Sequence, residues 1–309
     1  GYTQQAVVKY QFPYIDKKMR FGLGMGWQYY SQKELNYTTR FDKQVFTKTI
    51  QPIQSGYRTN FNLLYRPNLF ERHILQIGFG NATITDSGLI AQPKYFPNNQ
   101  QSFSYVDLSA AFTKTQFDYN PYPTQGSSHE FSIYQRFSGG NNLTSFQLRN
   151  VIAHKLNNAN TLLFENNMQA KLLPNQNFID RKLLGYGTMQ MNGIDYYVID
   201  GNAAGIFKAE WHHLITSFTV PKYIGIGLVD QITKRLPTIK YNFWLNAFTN
   251  VVYVYSEHPS NTSKLSNTLL KTFGIGLDII SVYDLVIKID YSVNQLGDKG
   301  VYLHGGINF

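Results

Sequence analysis

Cysteine is absent from the 309 residues, so neither a disulfide framework nor a thiolate metal site can form, and the redox compartment stays open. A run of about eighteen apolar residues is missing as well, which excludes a membrane-spanning helix. Motifs of nucleotide and nucleophile chemistry are lacking. Gly22-Leu23-Gly24-Met25-Gly26 has no strand-to-helix context to make a phosphate cradle, and no Gly-x-Ser-x-Gly elbow occurs. The histidines are scattered; His212 and His213 adjoin, but neighbours on a strand face opposite sides and do not share a metal. No catalytic residue, metal or cofactor is therefore expected. Lys and Arg outnumber Asp and Glu by 28 to 19, a net charge of +9. The basic residues are spread along the chain without the cluster that a nucleic-acid footprint needs, so nucleic acid is excluded as a partner. A basic lumen, or loops that meet anionic lipid headgroups, accounts for the surplus.

Against these absences stands an aromatic content of 16%, with 23 Tyr and 22 Phe. That is high for a soluble domain and natural for the two aromatic girdles of an outer-membrane barrel. The pattern agrees. Phe273, Ile275, Leu277 and Ile279 alternate with Gly274, Gly276 and Asp278; Leu285, Ile287, Ile289, Tyr291 and Val293 alternate with Val286, Lys288, Asp290 and Ser292; Val301, Leu303, Gly305, Ile307 and the terminal Phe309 alternate with Tyr302, His304, Gly306 and Asn308. Period two means strands with one apolar and one polar face. A chain that stops on an aromatic residue within such a strand fits a barrel with its apolar face turned to lipid. In water, that edge would invite pairing with other chains.

The same rhythm runs through the chain. Ala6, Val8, Tyr10 and Phe12 lead through Asp16-Lys17-Lys18 into Met19, Phe21, Leu23, Met25, Trp27 and Tyr29, whose opposite face is glycine and polar groups. A polar loop of some twenty residues follows. Next comes Tyr57 to Tyr65, a short turn at Arg66-Pro67-Asn68, and Leu75 to Phe79. Short turns alternating with long polar loops are the barrel rhythm, short on the periplasmic side and long outside. Further strands are read around Leu108, Ile133, Leu148, Leu163 to Leu172, Phe207 to His212, Ile224 to Val229 and Tyr241 to Phe248, with a long connection from Leu173 to Asn202. The count is about thirteen, where bacterial barrels usually have an even number. The expectation is an all-β fold: one transmembrane antiparallel β-barrel domain over residues 1–309, with 14–16 strands when complete. The chain begins at Gly1 without Met or a signal segment, as expected of a processed or truncated product whose first strands or periplasmic domains have been removed.

The long connection carries a resemblance. Lys182-Leu183-Leu184-Gly185-Tyr186-Gly187, followed by a polar stretch and then Ala203 to Trp211 with Glu210 in the strand, resembles the lid loop and next strand of the bacterial surface antigen superfamily, which includes the BamA and TamA insertases and the two-partner secretion transporters. Trp244-Leu245-Asn246-Ala247, and the last three strands from Gly274 to Phe309, are similar to that family too. The resemblance implies a lid tip at Leu184, Gly185 and Tyr186 that folds into the lumen. Leu184 stands where the family has Arg, and Asn246 where it has Asp; the joint loss strands neither charge. Arg181 or Lys182 is then expected to meet Glu210. The resemblance also implies a seam strand at Val301, Leu303, Gly305, Gly306, Ile307 and Phe309, and a role in inserting or passing proteins or lipids at the outer membrane. Outer-membrane lipid, envelope proteins and client barrel proteins are the implied partners. The alternative is a passive porin. A lipase-like arrangement of Ser281, Asp284 and His304 ranks third, and a lumen ion-pair ladder of Asp278, Asp290 and Lys288 is the simpler reading of those polar residues.

Overall fold

The computed structural model describes residues 2–139, 141–173, 175, 177–187, 189–220, 239–281 and 284–307. Its strands are β1 (Thr3–Phe12), β2 (Phe21–Gln32), β3 (Glu34–Arg40), β4 (Lys43–Lys48), β5 (Gln54–Tyr65), β6 (Glu71–Ile84), β7 (Ser102–Phe117), β8 (Gly126–Phe137), β9 (Leu143–Lys155), β10 (Asn160–Leu172), β11 (Lys182–Leu184), β12 (Ile199–Asp200), β13 (Ala203–Val220), β14 (Ile239–Tyr255), β15 (Leu269–Ser281), β16 (Leu285–Asn294) and β17 (Lys299–Ile307). Two short helices, α1 (Asp86–Ala91) and α2 (Phe178–Arg181), sit in connections. One antiparallel sheet takes thirteen strands in the order β1-β2-β5-β6-β7-β8-β9-β10-β13-β14-β15-β16-β17, an up-and-down meander. The other strands read from the sequence recur in this sheet, and the apolar piece Ile224 to Val229 lies outside the described residues.

Which face is greasy decides whether such a sheet lives in water or lipid. Leu23, Met25 and Trp27 on β2, Phe61 on β5, Leu75, Ile77 and Phe79 on β6, and Phe273 and Ile275 on β15 are all exposed, while their neighbours Gly26, Gly78, Asp107 and Asp278 are buried. The pattern is inside out, as a barrel with an apolar lipid band and a polar lumen requires. Glycines on the lumen face let polar side chains crowd together. A Cβ on Gly276 would sit within 3 Å of both Asp290 Oδ1 and Asn246 Nδ2.

The connections divide into two ends. At one lie 13–20, 66–70, 118–125 and 156–159; at the other lie 33–53, 85–101, 138–142, 173–202, 256–268 and 295–298. The second end is capped. The polar loop after β2 folds as the β3–β4 hairpin, which period two did not reveal because its apolar residues are few: Leu35 and Tyr37 alternate for only two positions on β3, and Val45 and Phe46 adjoin on β4. Leu35 and Ile53 from that connection pack with Tyr95 and Phe96, with Phe103 of β7 and with Phe178 of α2. At the hairpin tip the buried Asp42 accepts the Lys264 amide at 2.8 Å, and its carbonyl accepts the Val198 amide at 2.9 Å. The cap thus ties the β2–β5 side of the sheet to the β14–β15 side.

β1 and β17 are the sheet's edges, and among the described residues no pairing joins them. All ten residues of β1 are exposed. Val301 and Leu303 on β17 are 72% and 73% exposed, and a Cβ on Gly305 would meet nothing within 4 Å. Phe309 lies outside the described residues.

The lipid face makes a direct prediction. Ile77→Arg, at the middle of β6 facing outward, should destabilise the barrel by about 2–4 kcal/mol in lipid-vesicle unfolding titrations. Gln76→Arg, one residue away and facing the lumen, should cost far less. Equal losses would refute the assignment of faces.

Candidate functional site

The lid is the 173–202 connection, and it folds back onto the lumen wall. Its spine is apolar: Leu183, Leu184, Met189, Met191, Ile194 and Ile199 are buried against Ile206 of β13, Val252 and Val254 of β14, and Leu270 of β15. Each such side chain is worth about 1.5–3 kcal/mol over its exposed state. β11 pairs with β12, and Gly185 N donates to Met189 O at 2.8 Å. Gly185 is required twice: its φ is +84°, and a Cβ would lie 2.3 Å from the Tyr197 carbonyl oxygen.

The tip residues are brought together. Leu184 is buried in the cluster that joins the lid to β13, β14 and β15. The Tyr186 hydroxyl lies 2.7 Å from Asp200 Oδ1, to which it donates, and 2.6 Å from Thr39 Oγ1 of β3. Burial and the neighbouring Asp200 hold that phenol above its ordinary range, which keeps it a donor. The expected contact of Arg181 or Lys182 with Glu210 is not formed. Arg181 Nη2 donates to the His258 carbonyl at 3.2 Å, toward the β14–β15 connection. The Lys182 ammonium lies 4.8 Å from the Phe178 ring centroid, 5.5 Å from that of Tyr186 and 5.9 Å from that of Tyr95. Burial lowers that ammonium to about 8. The three ring faces offset part of its lost hydration.

Glu210 and Asn246 lie deeper, in a polar cluster on the lumen face. Glu210 Oε2 is 2.9 Å from His212 Nε2 and 3.7 Å from Lys288 Nζ, so nearer cations answer its charge. Asn246 Nδ2 donates to Asp278 Oδ1 at 2.6 Å and to Asp290 Oδ1 at 3.2 Å. Lys288 stands opposite Asp278 in register yet makes its ion pair with Glu210, so the ladder expected of Asp278, Asp290 and Lys288 forms only in part. The lipase-like arrangement does not assemble: Asp284 accepts the Tyr119 hydroxyl at 2.7 Å, and His304 lies 3.9 Å from Asp290. The lid reaches this cluster through Asn192, whose Nδ2 donates to Asp290 Oδ2 at 3.2 Å. Its carbonyl takes the Thr272 hydroxyl at 2.8 Å. Beyond it, Asn294 Nδ2 donates to Gly193 O at 3.0 Å, and the Tyr197 hydroxyl donates to Asp298 Oδ2 at 2.8 Å. That last bond holds the Asp298 carboxyl below its usual value.

Two parts of the site were not read from the sequence. One is the lid's hinge at α2, where Arg136 of β8 makes two 2.8 Å bonds to the carboxylate of Asp180. Both side chains are buried, and the guanidinium lies 4.8 Å from the Phe103 ring centroid. No local spacing signals a pair whose members lie on separate elements. The other is a second plug, from the opposite end. The β7–β8 connection turns inward and buries Tyr122, which stacks on His212 at 4.8 Å and donates to Asp278 Oδ2 at 2.8 Å. Here a signal existed: Tyr119, Tyr122, Pro121 and Pro123 are too apolar for a turn of that length in water.

No family model matches the sequence, and no curated protein does. Among solved structures, BamA from Haemophilus ducreyi lacking POTRA domains 1-3 is similar with a TM-score of 0.67 at 13% sequence identity, over 98% of this chain and 62% of that one. The chain thus spans less than two thirds of that structure. The fold is that of an outer-membrane β-barrel of the BamA type.

Asp180→Ala leaves a buried guanidinium without its carboxylate, a change that costs about 3–5 kcal/mol. The lid base should loosen, and trypsin should cut at Arg181 and Lys182 in the folded barrel faster than in wild type. Arg136→Met with Asp180→Leu should restore resistance. Unchanged cleavage in Asp180→Ala would show that the pair does not hold the lid.

Proposed function

We propose that this chain is an integral barrel of the bacterial outer membrane that aids the insertion or passage of proteins or lipids there. The observation that carries the reading is a lid built into the lumen wall of a sheet whose first and last strands, among the described residues, are paired on one side only. A free edge offers a row of unpaired amides and carbonyls, and it can template an incoming strand by β-augmentation. β17 suits that task. Its outward Val301 and Leu303 are exposed, and Gly305 and Gly306 weaken the pairing of the strand that holds them. Client barrel proteins, other envelope proteins and outer-membrane lipid are the partners this reading names. It includes no catalysis.

The fold likeness to BamA supports the class of barrel. A passive porin has less support, since such a channel needs an open lumen. Here the lid packs on the lumen wall at one end, and Tyr122 packs against it from the other.

A photo-crosslinking residue at Leu303, in cells that make this protein, should give adducts with outer-membrane proteins still in assembly. The reading fails if no adducts form and loss of the chain leaves the outer-membrane protein profile unchanged. In planar bilayers the purified chain should be electrically quiet, and removing 182–202 together with Tyr119→Ala and Tyr122→Ala should produce conductance. Steady conductance of the intact chain would favour the porin.

A further inference from the structure

The basic surplus that looks scattered in the sequence is gathered by the sheet. β2 pairs with β5 at Phe21 and Tyr65, β5 with β6 at Tyr65 and His73, and β6 with β7 at His73 and Phe112. Those four rings form a row on the outer face, with successive centroids 4.8, 5.6 and 5.0 Å apart. Their chain neighbours Arg20, Arg66, Arg72 and Thr113 therefore form a second row on the lumen face, since alternate residues of a strand point to opposite sides. Arg66 N donates to Arg20 O at 2.7 Å, which carries the register of β2 and β5 one residue past the strands. Neighbouring strands lie about 4.8 Å apart, so three guanidinium stems span roughly 10 Å at the mouth of the lumen.

A cavity of about 680 Å³ opens there between the short turns. Lys18 of the β1–β2 turn joins the three arginines in its lining, and Thr113 and Thr115 of β7 supply its lumen-wall side. The acids nearby are already committed. Asp16 accepts the backbone amides of Lys18, Arg20 and Phe21, and Asp118 accepts those of Tyr119, Thr124 and Gln125. Glu71 pairs with Lys114 at 3.2 Å, and Glu130, opposite Thr113, pairs with Arg149 at 3.3 Å. Among the described residues, Lys18, Arg20, Arg66 and Arg72 have no carboxylate partner. The turns also present apolar groups to the same cavity: Leu69 is 98% exposed and Met19 63% exposed.

Like charges gathered without an anion repel one another, and an anion that settles among them removes that repulsion. Lipid is the wrong anion. Hydrocarbon meets the opposite face, where beyond the ring row an apolar groove of about 780 Å³ is lined by Leu23, Leu63, Leu75 and Ala110 among others. A phospholipid with its chains in that groove has the strand wall between its phosphate and these arginines. A small inorganic anion, in turn, leaves Met19 and Leu69 without a role. A polypeptide segment uses both kinds of group. Alternate side chains of an extended chain lie about 7 Å apart, so two carboxylates on one face fit along the arginine row, and apolar side chains on the other meet Met19 and Leu69.

We propose that the lumen mouth at the short-turn end docks an acidic, extended segment of a periplasmic protein, with its carboxylates on Arg20, Arg66 and Arg72 and its apolar side chains on Met19 and Leu69. Arginine suits carboxylates because its planar fork makes paired charge-assisted hydrogen bonds to the two oxygens. The compartment follows from the turns, since the short connections of an outer-membrane barrel lie on the periplasmic side. The site rests on that orientation in the outer membrane and not on whether the barrel inserts proteins.

The test uses the full chain, purified in an uncharged detergent, and a fluorescein-labelled peptide of alternating Glu and Leu, with binding followed by fluorescence anisotropy. The peptide should bind saturably and about tenfold or more tighter than its counterpart of alternating Gln and Leu, because charge-assisted hydrogen bonds are roughly twice as strong as neutral ones. Arg20→Gln, Arg66→Gln and Arg72→Gln combined should bring the two peptides level, while Lys155→Gln with Lys264→Gln should leave the preference unchanged. Leu69→Asp puts a negative charge into the cavity at an almost fully exposed position. It should weaken binding of the acidic peptide without unfolding the barrel, and it keeps the test decisive if the triple variant fails to fold. Equal binding of the two peptides by the wild type, or a preference that survives the triple variant or Leu69→Asp, overturns the proposal. Displacement of the acidic peptide by inorganic phosphate at the peptide's own concentration would assign the cations to a phosphate-bearing ligand and overturn it too.

Discussion

Everything in this structure depends on the need of backbone amides in hydrocarbon to find partners within the protein. Thirteen strands that hydrogen-bond only to their neighbours meet that need except at β1 and β17. The same constraint turns the chain inside out. Once lipid surrounds the sheet, apolar side chains have no reason to face inward, and the polar ones have nowhere else to go.

A lumen filled with polar side chains must then answer its own charges. Arg58 pairs with the fully buried Asp107 at 2.8 Å, and Arg149 bridges Glu130 and Glu165. Lys288 and His212 meet Glu210, and Arg136 holds Asp180. The last pair differs in kind because it joins wall to lid. Charge pairing inside the barrel thereby becomes the fastening of the loop that closes it, helped by an apolar spine lying on one of the lumen's few greasy patches.

The two halves of the sheet carry different work. β13 to β17 hold the lid, the polar cluster and the exposed edge at Val301 and Leu303. β1 to β8 carry the outer groove and the ring row, and Lys18, Arg20, Arg66 and Arg72, without a carboxylate partner among the described residues, lie at its short-turn end. The capping hairpin, through Asp42, links the first half to the second at the long-loop end.

The sequence by itself determined the class of fold, because period two in β2, β6 and β15 is a local property, and aromatic content with a polar opposite face sets which side meets lipid. It also bounded the lid, since a strand pattern that stops at Leu172 and resumes at Ala203 leaves the connection plain. Contacts across the lumen were decided only by the tertiary structure. Tyr186 lies against Thr39, Tyr122 against Asp278, and Arg136 against Asp180, each pair joining elements whose separation no periodicity records. The same holds for Arg20, Arg66 and Arg72, dispersed along the chain and set side by side by register. Alternation fixes the face on which a residue lies; the curvature of the sheet and the inward fold of its loops decide what that residue meets.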